Sequence, residues 1–300
     1  MNINIQHYNK LTPLHLAFKK VNENIIEYLI NKDADLHING EDENISLHYS
    51  CKSEKDIIKF VKYLIEEKYI QNNDGWTPLH HAYYQGNENI VKYLIEKGTN
   101  LNISDNIETA PLHFACQEEK ENLDLVKYLI EKKNVDINIQ EINKLIPLYY
   151  AFINGHINVV KYLIDKGTDL NISDNIGTAP LHFACQEEKE NLDLVKYLIE
   201  EKNVDANVKN SFGCTPLHVA CENGNINIVK YLIDKGADIN IKDNYGCILL
   251  HRACLSEKES LDLVKYLIEE KKMNMNIKDS YGYLQLKYAN NKHNDHIENI

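Results

Sequence analysis

The sequence carries no basic run. Over 300 residues it sets 45 acidic against 33 basic side chains, for a net charge of −12. Such a chain repels polyanions on average, which argues against nonspecific binding to DNA, RNA or anionic membrane. No stretch approaches ~18 consecutive apolar residues, so no membrane insertion is expected. The opening MNINIQHYNKLTPLH has no charged-then-apolar leader, and the expected location is the cytoplasm, or the nucleus. The patterns G-x-S-x-G, G-x-x-x-x-G-K-[ST], H-E-x-x-H and C-x-x-C are all missing. The expectation is therefore no enzyme: no catalytic, cofactor-binding or metal residues, and no cofactor.

Linkers and disulfides are lacking too. All six prolines (Pro13, Pro78, Pro111, Pro147, Pro180 and Pro216) fall at one recurring motif, and none remains to mark a linker. The seven cysteines are an odd number. Cys51, Cys116, Cys185, Cys221 and Cys254 share a register that holds Phe18, Tyr83 and Phe152 elsewhere. A slot accepting Cys, Phe or Tyr is a packing site. Cys214 and Cys247 lie in a loop position and are expected to be more exposed. At roughly 8–10 Å apart they exceed the about 7 Å that a disulfide allows.

What is present is one unit, written many times. In Cys214 to Asn240, Thr215-Pro216-Leu217-His218 opens a short helix, Gly224 breaks it, and Ile226 to Lys235 forms a second helix before an extended exit. Thr suits the N-cap and Pro the first helical position. The motif leucine recurs at Leu14, Leu47, Leu79, Leu112, Leu148, Leu181, Leu217, Leu250 and Leu286, at intervals of 33, 32, 33, 36, 33, 36, 33 and 36 residues. A helical pair bearing T-P-L-H-x-A at this period resembles the ankyrin repeat. The resemblance covers essentially the whole chain. It implies an all-α solenoid of stacked helix-turn-helix units with short β-hairpin-like fingers, as a single domain over 1–300. The approximate repeats are 1–39, 40–71, 72–104, 105–140, 141–173, 174–209, 210–242, 243–278 and a partial cap at 279–300.

The copies depart from the pattern in instructive ways. The second repeat, Ile45-Ser46-Leu47-His48, has lost the capping Thr and the Pro, and Tyr69 to Asn72 is expected to be a shortened finger. The 36-residue units carry two extra residues between helices and one more after the second helix. Leu101 to Asp136 and Leu170 to Asp205 are identical apart from Glu108/Gly177 and Lys132/Glu201, so a repeat pair was duplicated. Eleven of the twelve glycines sit in turns that favour positive φ, whereas Lys10, Glu43, Glu108 and Lys144 replace Gly in four fingers, each at a cost of ~1 kcal/mol. The ninth repeat is polar at Gln285, Lys287 and Lys292, as a terminal cap should be.

Histidine recurs at His15, His48, His80, His113, His182, His218 and His251. One imidazole per layer does not converge on a metal, and the ankyrin resemblance implies that this His bonds neighbouring loop backbone. His293 and His296 are a weak coincidence. Tyr28, Tyr63, Tyr93, Tyr128, Tyr162, Tyr197, Tyr231 and Tyr266 recur on the second helices and are expected to form a packing ladder.

The resemblance further implies that partners dock on the concave side, on finger tips and exposed first-helix positions. Carried onto this sequence, the candidate protein-binding residues are Trp76, Thr109, Leu145, Thr178 and Cys214 before the motif Thr position. The others are Tyr84, Gln85, Gln117, Glu118, Ile153, Asn154, Gln186, Glu187, Glu222 and Asn223 at the first-helix ends. Trp76 reads either as an interface anchor or as packing; Glu118 and Glu187 read as a solvated turn or as an acidic stripe for a basic partner. The expected function is a monomeric, non-enzymatic interaction scaffold or inhibitor that binds a protein with a basic surface. The alternative is a substrate-recognition adaptor of a larger assembly, such as a ubiquitin ligase or kinase, for which no recruiting box is left over.

Overall fold

The computed structural model describes residues 2–53, 57–67, 70–118, 120–186, 191–256 and 261–290. Among these residues helices and turns form, and no strand does. The helices pair as the repeats predict: α1 (Pro13–Lys19) with α2 (Glu23–Ile30), α3 (Ser46–Cys51) with α4 (Ile58–Leu64), α5 (Pro78–Tyr84) with α6 (Glu88–Glu96), and α7 (Pro111–Gln117) with α8 (Leu123–Lys133). They continue as α9 (Pro147–Ile153) with α10 (Ile157–Asp165), α11 (Pro180–Gln186) with α12 (Leu192–Lys196), α13 (Pro216–Glu222) with α14 (Ile226–Asp234), α15 (Leu249–Leu255) with α16 (Leu261–Lys265), and finally α17 (Gln285–Asn290).

The chain forms two compact units. One comprises Met1–Ile142 with Ile146–Gly167, the other Asn143–Leu145 with Thr168–Ile300. Within the first, α1, α3, α5, α7 and α9 pack in succession; within the second, α11, α13, α15 and α17 do so. The motif leucines from Leu14 to Leu250 are buried, as are Ile90, Val91 and Leu94 and their equivalents on the second helices, except Ile25 of α2, which is exposed. This is the broad apolar face that the spacing i, i+1, i+4 requires.

Two features differ from expectation. The extra residue in repeats six and eight does not follow the second helix but is wound into its last turn. Tyr197–Glu201 and Tyr266–Glu270 are π turns, in which Lys202 N–H donates to the Tyr197 carbonyl and Lys271 N–H to that of Tyr266. A one-residue insertion absorbed this way leaves the buried face in register upstream. The finger of repeat three, at 72–76, is likewise full-sized: Asn72 N–H donates to the Trp76 carbonyl at 2.9 Å, as Asp243 N–H does to Cys247 at 3.0 Å. The second helix before it ends in a 3₁₀ turn at Ile65–Glu67, and Tyr69 lies outside the described residues.

Six of the fingers are closed by an Asx side chain. Asp243 Oδ1 accepts from the N–H groups of Tyr245 and Cys247 at 2.9 Å, and Asn72, Asp105, Asp174, Asn210 and Asp279 repeat the arrangement. Successive fingers in the second unit join through single backbone bonds, Ser211 N–H to the Ile176 carbonyl, Asn244 to Phe212 and Ser280 to Tyr245. The backbone approach is close: a Cβ added at Gly213 would sit 2.9 Å from Asn244 N. Lys10, Glu43, Glu108 and Lys144 all hold φ near 60°, so the four glycine replacements bear the left-handed strain expected of them.

The motif histidine caps its own helix. Nδ1 accepts the N-cap N–H in all seven, from Thr12 to His15 at 3.2 Å through Ile248 to His251 at 3.2 Å. Because Nδ1 is an acceptor, Nε2 carries the proton, and in three repeats it donates to the next finger: His48 to the Trp76 carbonyl at 3.1 Å, His182 to Cys214 at 3.0 Å, His251 to Tyr283 at 3.3 Å; the Nε2 atoms of His15, His80 and His218 are buried without a partner. The bond to neighbouring loop backbone that the resemblance implied is therefore present at His48, His182 and His251. It also explains how α3, α7, α11 and α15 start without a capping threonine. Burial lowers the pKa of His15, His48, His80 and His218 to about 4.

The tyrosines on the second helices meet lysines. Lys62 lies over Tyr93, Lys127 over Tyr162, Lys196 over Tyr231 and Lys230 over Tyr266, at 5.0–6.0 Å from the ring centroid. In each case the cation comes from the preceding repeat, so Lys-over-Tyr contacts link adjacent second helices. Tyr28 and Tyr63 are exposed.

Candidate functional site

The position before the motif threonine, expected at an exposed finger, is buried in most repeats. Thr109, Thr178 and Cys214 are all at or below 9% exposure, and Cys247 is at 4%; all seven cysteines are buried and free. The reason is that this residue closes its own finger while the next repeat's finger and first helix cover its side chain. Three junctions illustrate the arrangement. Asn44 meets Asn72 and His81, with Oδ1 at 3.0 and 3.2 Å from their side-chain nitrogens. Trp76 Nε1 donates to Asp105 at 3.1 Å, and its ring lies against His81, Tyr84 and Phe114. Cys214 meets Asp243 and Arg252.

The last junction is the most polar. Arg252 is the one arginine of the sequence. Its Nε donates to Asp243 Oδ2 at 3.1 Å, Nη1 to Glu222 at 2.9 Å and Nη2 to both Asp243 and Cys214 Sγ. Burial pushes the Cys214 thiol up to about 11, so it stays protonated. The residues that differ from repeat to repeat at this position thus make matched buried contacts at these junctions. Trp76, half-buried and hydrogen-bonded to Asp105, serves the junction between repeats three and four.

The first-helix ends behave differently, and two grooves collect them. One, of about 930 Å³ in the second unit, brings together Thr178, Gln186, Cys214, Glu222 and Asn223. Its far wall consists of Ile176, Phe212 and Tyr245, which are about two-fifths exposed, with the Phe212 and Tyr245 rings stacked at 6.4 Å. These fingertip residues were missed in the sequence; the signal was there, since Ile176, Phe212, Tyr245 and Tyr281 share one register, two residues after the Asx that starts each finger. The other groove, of about 980 Å³ in the first unit, gathers Tyr84, Gln85, Gln117 and Glu118 with Tyr83, Phe114, Glu88 and Glu121. Glu118 is half-buried, not a solvated turn: burial pushes its pKa up to about 7, with Asn122 hydrogen-bonded to it and Glu88 nearby. Leu145, Ile153 and Asn154 line neither groove, and Glu187 lies outside the described residues.

Among the described residues no three His, Cys, Asp or Glu side chains stand together as metal ligands, and no helix is long and apolar enough to cross a membrane.

Stacked helix pairs closed by Asx-turn fingers and capped by a T-P-L-H histidine define a class of protein-interaction repeat. The family model for ankyrin repeats in three copies matches residues 1–67, 33–105, 112–210 and 181–279, and the chain belongs to the ankyrin-repeat family. It is 40% identical over 134 residues to a putative ankyrin repeat protein of Acanthamoeba polyphaga mimivirus, covering 44% of this chain and 18% of that one. It is 33% identical over 107 residues to a serine/threonine-protein kinase of Mus musculus, covering 35% of this chain and 13% of the kinase. A putative ankyrin repeat protein of Fowlpox virus matches at 28% over 138 residues, 46% of this chain and 93% of that one. The chain thus spans less than a fifth of the mimivirus protein and of the kinase. Ankyrin repeats are protein-interaction modules, generally without catalytic activity of their own.

Proposed function

We propose that this chain is a non-enzymatic scaffold or inhibitor that holds a protein partner against the fingers and first helices of repeats six to eight. The observation that carries this reading is the apolar fingertip row. Ile176, Phe212 and Tyr245 stand on consecutive fingers, exposed, beside an open groove floored by Glu222, Asn223 and Arg252. Contiguous exposed apolar surface rimmed by polar groups marks interaction sites, and aromatic side chains are favoured anchors there. A partner with an apolar ridge for the row and basic flanks suits a chain of net charge −12, with the cytoplasm as its place of action.

The test is photo-crosslinking from position 223 in cells, followed by mass spectrometry, with Phe212→Ala combined with Tyr245→Ala as the variant compared. A discrete crosslinked protein that the double variant no longer retains is the expected result. Undiminished retention by a variant whose circular dichroism is unchanged removes this face from consideration.

A further inference from the structure

The groove of the first unit carries a feature that packing does not require. The helix slot of Tyr83 holds Phe18 and Phe152 in two other repeats and Cys in five, so a hydroxyl is not needed there. Tyr83 is nonetheless 1% exposed, lines the groove, and its hydroxyl has no hydrogen-bond partner. A buried polar group without a partner is uncommon in a folded chain. The adjoining carboxylates divide sharply. Glu121 accepts from Asn158 Nδ2 at 2.7 Å and from Val159 N–H at 2.9 Å, and Glu88 is paired with Lys92. Glu118 has a hydrogen bond from Asn122, and no cation stands among the groups that shift it; Lys120, in the same turn, is exposed.

We infer that this groove is a cation subsite, which takes the guanidinium or ammonium of a partner protein's arginine or lysine between Glu118, the Tyr83 hydroxyl and the exposed ring of Tyr84. Glu118 and the Tyr83 oxygen are acceptors, and a tyrosine face attracts a cation. An anion would meet three carboxylates. A bound cation replaces the solvation that Glu118 has lost and returns it to the ionised form. The duplicated segment offers an internal contrast in sequence: Gln186-Glu187 repeats Gln117-Glu118, but Phe152, Ile153 and Ile157 stand where Tyr83, Tyr84 and Glu88 do. The hydroxyl and the aromatic face belong to the first copy alone.

This inference rests on the reading of the chain as a protein-binding module, and its test is independent of any partner. The full chain, with glutamate labelled at the carboxyl carbon and uniformly with ¹⁵N, is titrated with N-acetyl-arginine amide and N-acetyl-lysine amide at neutral pH, with N-acetyl-glutamine amide as the uncharged control. The Glu118 carboxyl signal, assigned by its loss in Glu118→Gln, should move saturably toward the ionised position with the two cations and stay still with the control. The backbone amides of Gln117 and Asn122 should report at least tenfold weaker binding in Glu118→Gln. Tyr83→Phe, the residue that nature places in this slot in repeats one and five, should weaken it severalfold while leaving the melting curve unchanged. A wild-type signal that does not saturate, an equal response to the glutamine amide, or undiminished binding in both variants overturns the subsite. Failure of the crosslink from position 223 with these titrations intact would remove the broader reading and spare this one as chemistry without an assigned partner.

Discussion

Arg252→Val tests how the junctions between repeats are held. The substitution removes the guanidinium and leaves Asp243, whose side chain is 0% exposed, without its cation. Breaking a buried ion pair by deleting one partner costs ~3–5 kcal/mol, because the remaining charge is still desolvated. The second arm, to Glu222, adds little, since that carboxylate is 46% exposed and exposed pairs contribute ~0–1 kcal/mol. The repair is written elsewhere in the chain: the equivalent positions of repeat seven hold Asn210 and Val219. Asn210 Oδ1 accepts from Phe212 and Cys214 N–H, as Asp243 does from Tyr245 and Cys247. Asp243→Asn with Arg252→Val should therefore recover to within ~1 kcal/mol of wild type, because removing both charges abolishes the desolvation penalty. Because repeats open locally, the measurement is hydrogen exchange of the α15 amides alongside urea unfolding. If Arg252→Val alone lies within ~1 kcal/mol of wild type, or the double variant is no better than the single, the pair does not hold this junction.

Three other predictions concern strain, pH and metal. Val21 holds φ 51° in the turn where other repeats use Gly86, Gly155 and Gly224, so Val21→Gly should stabilise the first repeat by ~1 kcal/mol whereas Val21→Ala should not; equal effects from both in urea unfolding would mean the gain is not backbone relief. The buried histidines bind fewer protons folded than unfolded, with pKa values of about 4 against 6.5. Their contribution is complete above pH 6.5 and falls as pH drops toward 4, so the urea midpoint should decline between pH 7 and pH 5; Glu118, raised to about 7, acts in the opposite sense but alone. EDTA should leave the melting temperature unchanged, and a drop restored by Zn²⁺ would refute the capping role assigned to the histidines.

The class of fold was legible in the sequence because a repeat prints its own register. Pro at the first helical position, the motif leucine and the I-V-K-Y-L-I face each depend on neighbours within a few residues, and their recurrence located the helices before any contact was known. The four glycine replacements at positive φ were legible for the same reason, since a turn's backbone demand is local. The junctions were not. Whether Cys214 faces solvent depends on Asp243 and Arg252, about thirty and forty residues away in sequence and brought together only by stacking. Glu118 looked like one of many turn carboxylates, and only the walls of Tyr83 and Phe114 reveal that it is desolvated. The sequence by itself determined the repeated frame, because the proline, leucine and helix-face residues that set it recur at fixed spacing inside each unit. Tertiary structure alone decided which variable positions are buried and which stay open, because burial at these positions is supplied by the next repeat.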